Sequence, residues 1–89
     1  WLNGRPYRSA VAIYFFDSRD NDTFVADDIG VECPDLEAVK VQAAQSLAEL
    51  ARDVLPGSTK RELAIEVRDE LGSVLIARMI FEAVILRNP

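Results

Sequence analysis

Between Pro34 and Gly57 the sequence describes one amphipathic helix with both ends marked. Leu36, Val39, Ala43, Leu47, Leu50 and Val54 recur every three or four residues, which gathers them on one helix face. Ala44, Ala48 and Ala51 widen that face with small side chains, while Lys40, Gln42, Gln45, Glu49, Arg52 and Asp53 form a solvated side. Asp35 is placed to cap the first turn with its carboxylate, Glu37 complements the helix dipole, and Pro56-Gly57 ends the run. A helix that is apolar on one side must cover a second layer. In 89 residues, which suit a single domain, the remaining sequence has to supply that layer.

It supplies strands. Trp1 to Arg8 reads as a flexible lead-in, and Ser9 to Phe16 as the first strand. Val11, Ile13 and Phe15 lie on one side of that strand, and Ala12, Tyr14 and Phe16 on the other. Both sides are apolar, which places this strand inside the sheet or against a partner. Asp17 to Asp22 reads as a polar connection, Thr23-Phe24-Val25 as a short return strand, and Asp27-Asp28-Ile29-Gly30 as a turn. Val31-Glu32-Cys33 is extended ahead of Pro34.

After the helix, Leu63, Ile65 and Val67 alternate with Glu62, Ala64, Glu66 and Arg68. A turn at Asp69-Glu70-Leu71-Gly72 leads to a last strand over residues 73–84. Placing Arg68 opposite Val74 pairs Glu66 with Ile76 and Ala64 with Arg78. Leu63, Ile65 and Val67 then share a face with Leu75, Ala77, Met79 and Phe81. A slip of one residue would expose Leu75, Met79 and Phe81 together. The other face carries Val74, Ile76, Ile80 and Val84 among Glu62, Glu66, Arg68, Arg78 and Glu82, and one helix cannot cover both faces. The expected fold class is α+β: a two-layer domain over residues 9–86 in the order β-β-α-β-β. A mainly antiparallel sheet of three or four strands, ordered second, first, third, fourth, carries one long helix on one face, and residues 87–89 are terminal.

Composition narrows the function classes. The chain is 49% hydrophobic, yet polar residues interrupt every apolar segment, so no membrane span is expected. The sequence begins at Trp1 rather than Met, and Trp1 to Ser9 contains no secretory-type apolar core; the expected location is the cytoplasm. Cys33 is the single cysteine, expected as a partly buried, inert thiol. Net charge is −5, and Asp17, Asp20, Asp22, Asp27, Asp28, Glu32, Asp35 and Glu37 face only Arg19 in their stretch. That acidic belt repels phosphates and argues against nucleic acid.

The motifs Tyr14-Phe15-Phe16-Asp17 and Gly30-Val31-Glu32-Cys33-Pro34-Asp35-Leu36-Glu37-Ala38 continue through Ser46 to Asp53, Pro56-Gly57 and Arg61 to Gly72. In that order they resemble a family of small uncharacterised bacterial proteins common in rhizobia and related proteobacteria. The resemblance covers Ile13 to Val84. Members typically have an aspartate-glycine turn where this chain reads Asp17 to Asp22, and often a leucine at Cys33, which favours packing over thiol chemistry. Leu71 occupies a turn position that often carries a small polar residue. The resemblance implies domain boundaries and assigns no catalytic or binding residue.

Catalysis finds little support in the residues themselves. The chain has no histidine, its serines lack that conventional base, and neither Lys40 nor Lys60 is marked out. No catalytic residue and no cofactor is assigned. Asp17, Asp20, Asp22, Asp27 and Asp28 could offer hard oxygen ligands to Ca²⁺ or Mg²⁺, but their spacing is not that of an EF-hand. Solvation and local backbone bonding explain acidic turns more simply. The leading expectation is a non-enzymatic interaction or accessory domain that self-associates, as a dimer, through its exposed sheet face, with Ile76, Arg78 and Ile80 at the contact. A different protein partner is also compatible with that face. The alternative is a small antitoxin-like or nucleic-acid-associated regulatory protein.

Overall fold

The computed structural model describes residues 12–89. The expected lead-in over 1–8 and the strand onset at Ser9 therefore lie outside the described residues. Five strands and one helix follow: β1 (Ala12–Asp20), β2 (Thr23–Val25), β3 (Val31–Cys33), α1 (Leu36–Val54), β4 (Lys60–Asp69) and β5 (Gly72–Glu82). All pairings are antiparallel. The sheet runs β2-β1-β4-β5, the order expected, with β3 added against the start of β1. The architecture is thus β-β-β-α-β-β, one strand richer than the reading from sequence.

β1 also runs four residues past its expected end at Phe16. The segment from Asp17 to Asp20 stays extended because its charged side chains meet arginines across the sheet: Asp17 meets Arg68, and Asp20 meets Arg61 at 2.6 Å. The polar connection shrinks to Asn21 and Asp22. Asn21 adopts φ 53°, a region that asparagine tolerates better than most residues. It also locks onto β4: its amide donates to the Glu62 carbonyl, and its side-chain carbonyl accepts from the Glu62 amide, both at 2.8 Å.

The β4–β5 hairpin keeps the expected register over most of its length, with Glu66 opposite Ile76 and Ala64 opposite Arg78. It departs near the turn. Val67 faces Leu75 while Arg68 faces Ser73, so Val74 is the extra residue of a β-bulge and not the partner of Arg68. Leu63, Ile65 and Val67 are fully buried beneath α1, and Leu75, Ala77 and Met79 pack beside them. Tyr14, Phe16 and Cys33 complete this layer. Burying each such aliphatic side chain contributes ~1.5–3 kcal/mol before entropy is counted.

Asp35 caps α1 as expected, accepting from the Ala38 amide at 2.8 Å. At the other end the Leu55 amide donates to Ala51, and the Ser58 hydroxyl donates to the Val54 carbonyl. Val39, Ala43, Leu47 and Ala51 are the buried helix positions. Leu36 is not one of them: it is 58% exposed, and Ala44 and Ala48 are exposed too. At about 100° per residue, Ala44 and Ala48 turn well away from Ala43. Leu36 lies on the apolar stripe but in the first turn, where the layer beneath no longer covers it.

Candidate functional site

α1 covers one face of the sheet; on the other, the loop between β2 and β3 packs over Phe15 and Asp17, and no described element covers the part formed by β5. Alternate residues of β1, β4 and β5 project on that second face, and the register sets their neighbours. Arg19 of β1 faces Ala64 of β4, which faces Arg78 of β5; one row along, Asp17, Glu66 and Ile76 are aligned. Basic and acidic rows therefore alternate, and the ion pairs form diagonally between rows. Arg19 meets Glu66 at 2.7 Å and lies 4.6 Å from the Phe24 ring centre. Arg68 meets Asp17 at 2.9 Å, lies 4.6 Å from the Phe15 ring centre, and donates to the Asp27 carbonyl at 2.9 Å. The Arg19 hydrogen bond outweighs burial and holds the Glu66 carboxyl below its ordinary range.

Asp17 is 5% exposed and is the one buried charged residue among the described residues. Besides Arg68, it accepts from the Asp27 amide at 2.9 Å. Asp27 sits in the five-residue interruption between β2 and β3, where it stands in for a missing strand partner. Its carboxylate accepts from the Phe16 amide at 3.0 Å, and from Ile29 and Gly30 at 3.0 and 3.2 Å. Gly30 is required in this loop: at φ +85°, an added Cβ would lie 2.7 Å from the Ile13 side chain. Burial pushes the Asp27 carboxyl up, but the three backbone donors and the Arg68 charge outweigh it, so its net shift is downward.

A carboxyl with a lowered folded-state value stabilises the fold above its unfolded value, and that stability is lost as pH falls through the folded one. Urea stability is therefore expected to fall as pH drops below ~4. Asp27→Asn should be less stable than the parent at neutral pH and show a shallower acid dependence. Equal acid dependence in both proteins would show that Asp27 does not carry the effect.

Asp17, Asp20, Asp22, Asp27 and Asp28 do not gather into one site. The Asp17 carboxylate accepts from the Asp27 amide, the Asp27 carboxylate is taken up by the Phe16, Ile29 and Gly30 amides, Asp20 projects on the helix side toward Arg61, and Asp22 and Asp28 are exposed. No group of three or more His, Cys, Asp or Glu residues among the described residues is arranged to hold an ion. Cys33 is buried beside the core, and burial, with the nearby Asp35 charge, pushes its thiol up.

Ile76, Arg78 and Ile80 are successive outward positions of β5 and form a row along its open face. Ile76 and Ile80 are 53% and 64% exposed. Arg78 sits diagonally between Glu62 and Glu66 as the register demands; no carboxylate lies within ion-pair distance of it among the described residues, and Glu66, which bonds Arg19, feels its charge only at longer range. Ala64 floors a depression of about 380 Å³ rimmed by Arg19, Glu66, Arg78 and Ile80. The diagonal pairs were not legible locally, since Arg19–Glu66 and Arg68–Asp17 join residues 47 and 51 apart.

Residues 13–81 match a family described as a domain of unknown function, DUF6894. The chain belongs to the DUF6894 family. No curated protein and no solved structure matches it. The DUF6894 match opens in β1 and closes in β5, so the family unit comprises the helix, the sheet and the uncovered β5 positions Ile76, Arg78 and Ile80. No helix among the described residues of this DUF6894 domain is long and apolar enough to cross a membrane.

Proposed function

We propose that this DUF6894 domain is a non-enzymatic interaction module that self-associates through the open-face positions of β5. The observation that carries this reading is the exposure of Ile76 and Ile80 on either side of Arg78, on the β5 side of the open face, which no described element covers. Burying an isoleucine gains ~1.5–3 kcal/mol, and a two-fold contact counts each residue twice. Arg78 supplies the polar specificity that two isoleucines alone lack. The charges of β1 and β4 pair with one another, while β5 presents the apolar positions.

Light scattering across protein concentration tests the proposal. The parent protein is expected to reach the mass of a dimer, with or without Ca²⁺ or Mg²⁺. Ile76→Ser/Ile80→Ser should remain monomeric with an unchanged far-UV spectrum. A monomeric parent at every concentration would sink the proposal, as would a double variant that dimerises like the parent.

A further inference from the structure

Among the described residues, β5 has a neighbour on one side only, β4. Its outer edge is therefore a row of backbone donors and acceptors without partners, eleven residues long and containing no proline. Long regular edges of this kind pair with other strands unless something blunts them. The bulge at Val74 distorts the end near the turn and leaves the stretch from Ile76 onward regular. That stretch extends past Glu82, since the Ala83 amide donates to the Thr59 carbonyl at 2.8 Å and continues the ladder.

The same bond fixes which groups face outward. In an antiparallel pair, hydrogen-bonded positions alternate along the strand. If Ala83 bonds inward to β4, the odd-numbered amides of this stretch do so as well. The backbone groups of Ile76, Arg78, Ile80 and Glu82 then point to the free edge. Their side chains are also those of the open face, so the edge and the exposed residues form one surface.

We infer that two copies of this chain join through antiparallel pairing of their β5 edges, centred on Ile80, into one continuous sheet. This rests on the self-association proposed above and adds its geometry. A two-fold axis permits few registers, and side-chain chemistry separates them. Centring on Arg78 sets two arginines against each other. Centring on Met79 sets Ile76 against a glutamate and Arg78 against an isoleucine, and centring on Ala77 sets Ile76 against an arginine. Centring on Ile80 sets Ile80 against its own copy, Ile76 against Val84, and Arg78 against Glu82 twice over. Only this last register pairs opposite charges and apolar with apolar at every outward position from 76 to 84. It also gives Arg78, which makes no close ion pair among the described residues, a carboxylate directly opposite in the second copy.

Charge exchange tests the register. Arg78→Glu alone would oppose two glutamates at each of two symmetric positions, and Glu82→Arg alone would oppose two arginines. Each is expected to weaken the dimer by about tenfold, measured by analytical ultracentrifugation. Mixing the two variants in equal amounts should restore association, because each cross-strand pair then joins a glutamate to an arginine. Arg78→Glu/Glu82→Arg in one chain should also recover it. Arg78 and Glu82 are both exposed in the single chain, so circular dichroism should show every variant folded. A monomeric parent would overturn this inference together with the self-association it rests on. A dimeric parent whose single variants dimerise normally, or fail to complement on mixing, would overturn the β5 register alone.

Discussion

Leu47→Asp is expected to leave the domain unfolded in water at 25 °C, whereas Leu36→Asp should fold. Leu47 lies in the buried stripe of α1, packed into the same cluster as Leu63, Ile65 and Val67. An ionised carboxylate there loses its hydration without gaining a partner, at a cost of ~4 kcal/mol or more on top of the lost leucine packing. Small domains hold only ~5–15 kcal/mol in total, so this single change consumes most of it. Leu36 occupies the same stripe by periodicity, but its exposure lets an aspartate stay hydrated, and a negative charge in the first turn suits the helix dipole. The expected change for Leu36→Asp is within ~0.5 kcal/mol. Far-UV circular dichroism with urea titration reads both. A cooperative, parent-like transition for Leu47→Asp would contradict the assigned core.

The second large effect concerns a charge and not a hydrophobe. Arg68→Ala removes the guanidinium that neutralises buried Asp17, together with the bond to the Asp27 carbonyl and the stacking on Phe15. Stranding a buried carboxylate is the costly way to break an ion pair, and because Arg68 itself is partly exposed we expect a loss of about 2–3 kcal/mol. Adding Asp17→Asn should return part of that loss by removing the stranded charge. Arg19→Ala, which breaks a more exposed pair, should be much milder. If Arg68→Ala and Arg19→Ala prove equally mild in urea titration, Asp17 does not depend on Arg68.

How far each feature could be read in advance follows from the distance over which its cause acts. The cap at Asp35, the stripe from Val39 to Ala51, and the pairing of Glu66 with Ile76 are set by neighbours or by strict alternation, and all are present in the structure. The end of β1 is not visible locally, because Ser18, Arg19 and Asp20 look like loop residues until the arginines and glutamate of β4 are placed opposite them. The bulge at Val74 left no trace either, since valine is as much at home in a regular strand. Leu36 shows a different limit: periodicity tells which face is apolar, not how far the layer beneath it extends. At the candidate site the three β5 positions were legible as an uncovered alternation, while the diagonal ion pairs beside them were not.

The central partnership of β1 with β4 also has a consequence in time. Asp17 and Arg68 stand 51 residues apart in the chain, so β1 must wait across a long loop for its neighbour. By contrast, α1 winds locally, and β4 and β5 meet through a two-residue turn at Glu70 and Leu71. Closing long loops before any contact rewards them is what slows folding. The helix and the last hairpin are therefore expected to form first, and the pairing of β1 with β4 to come last. During synthesis β1 leaves the ribosome before the rest of this domain and can pair with β4 only once β4 has emerged.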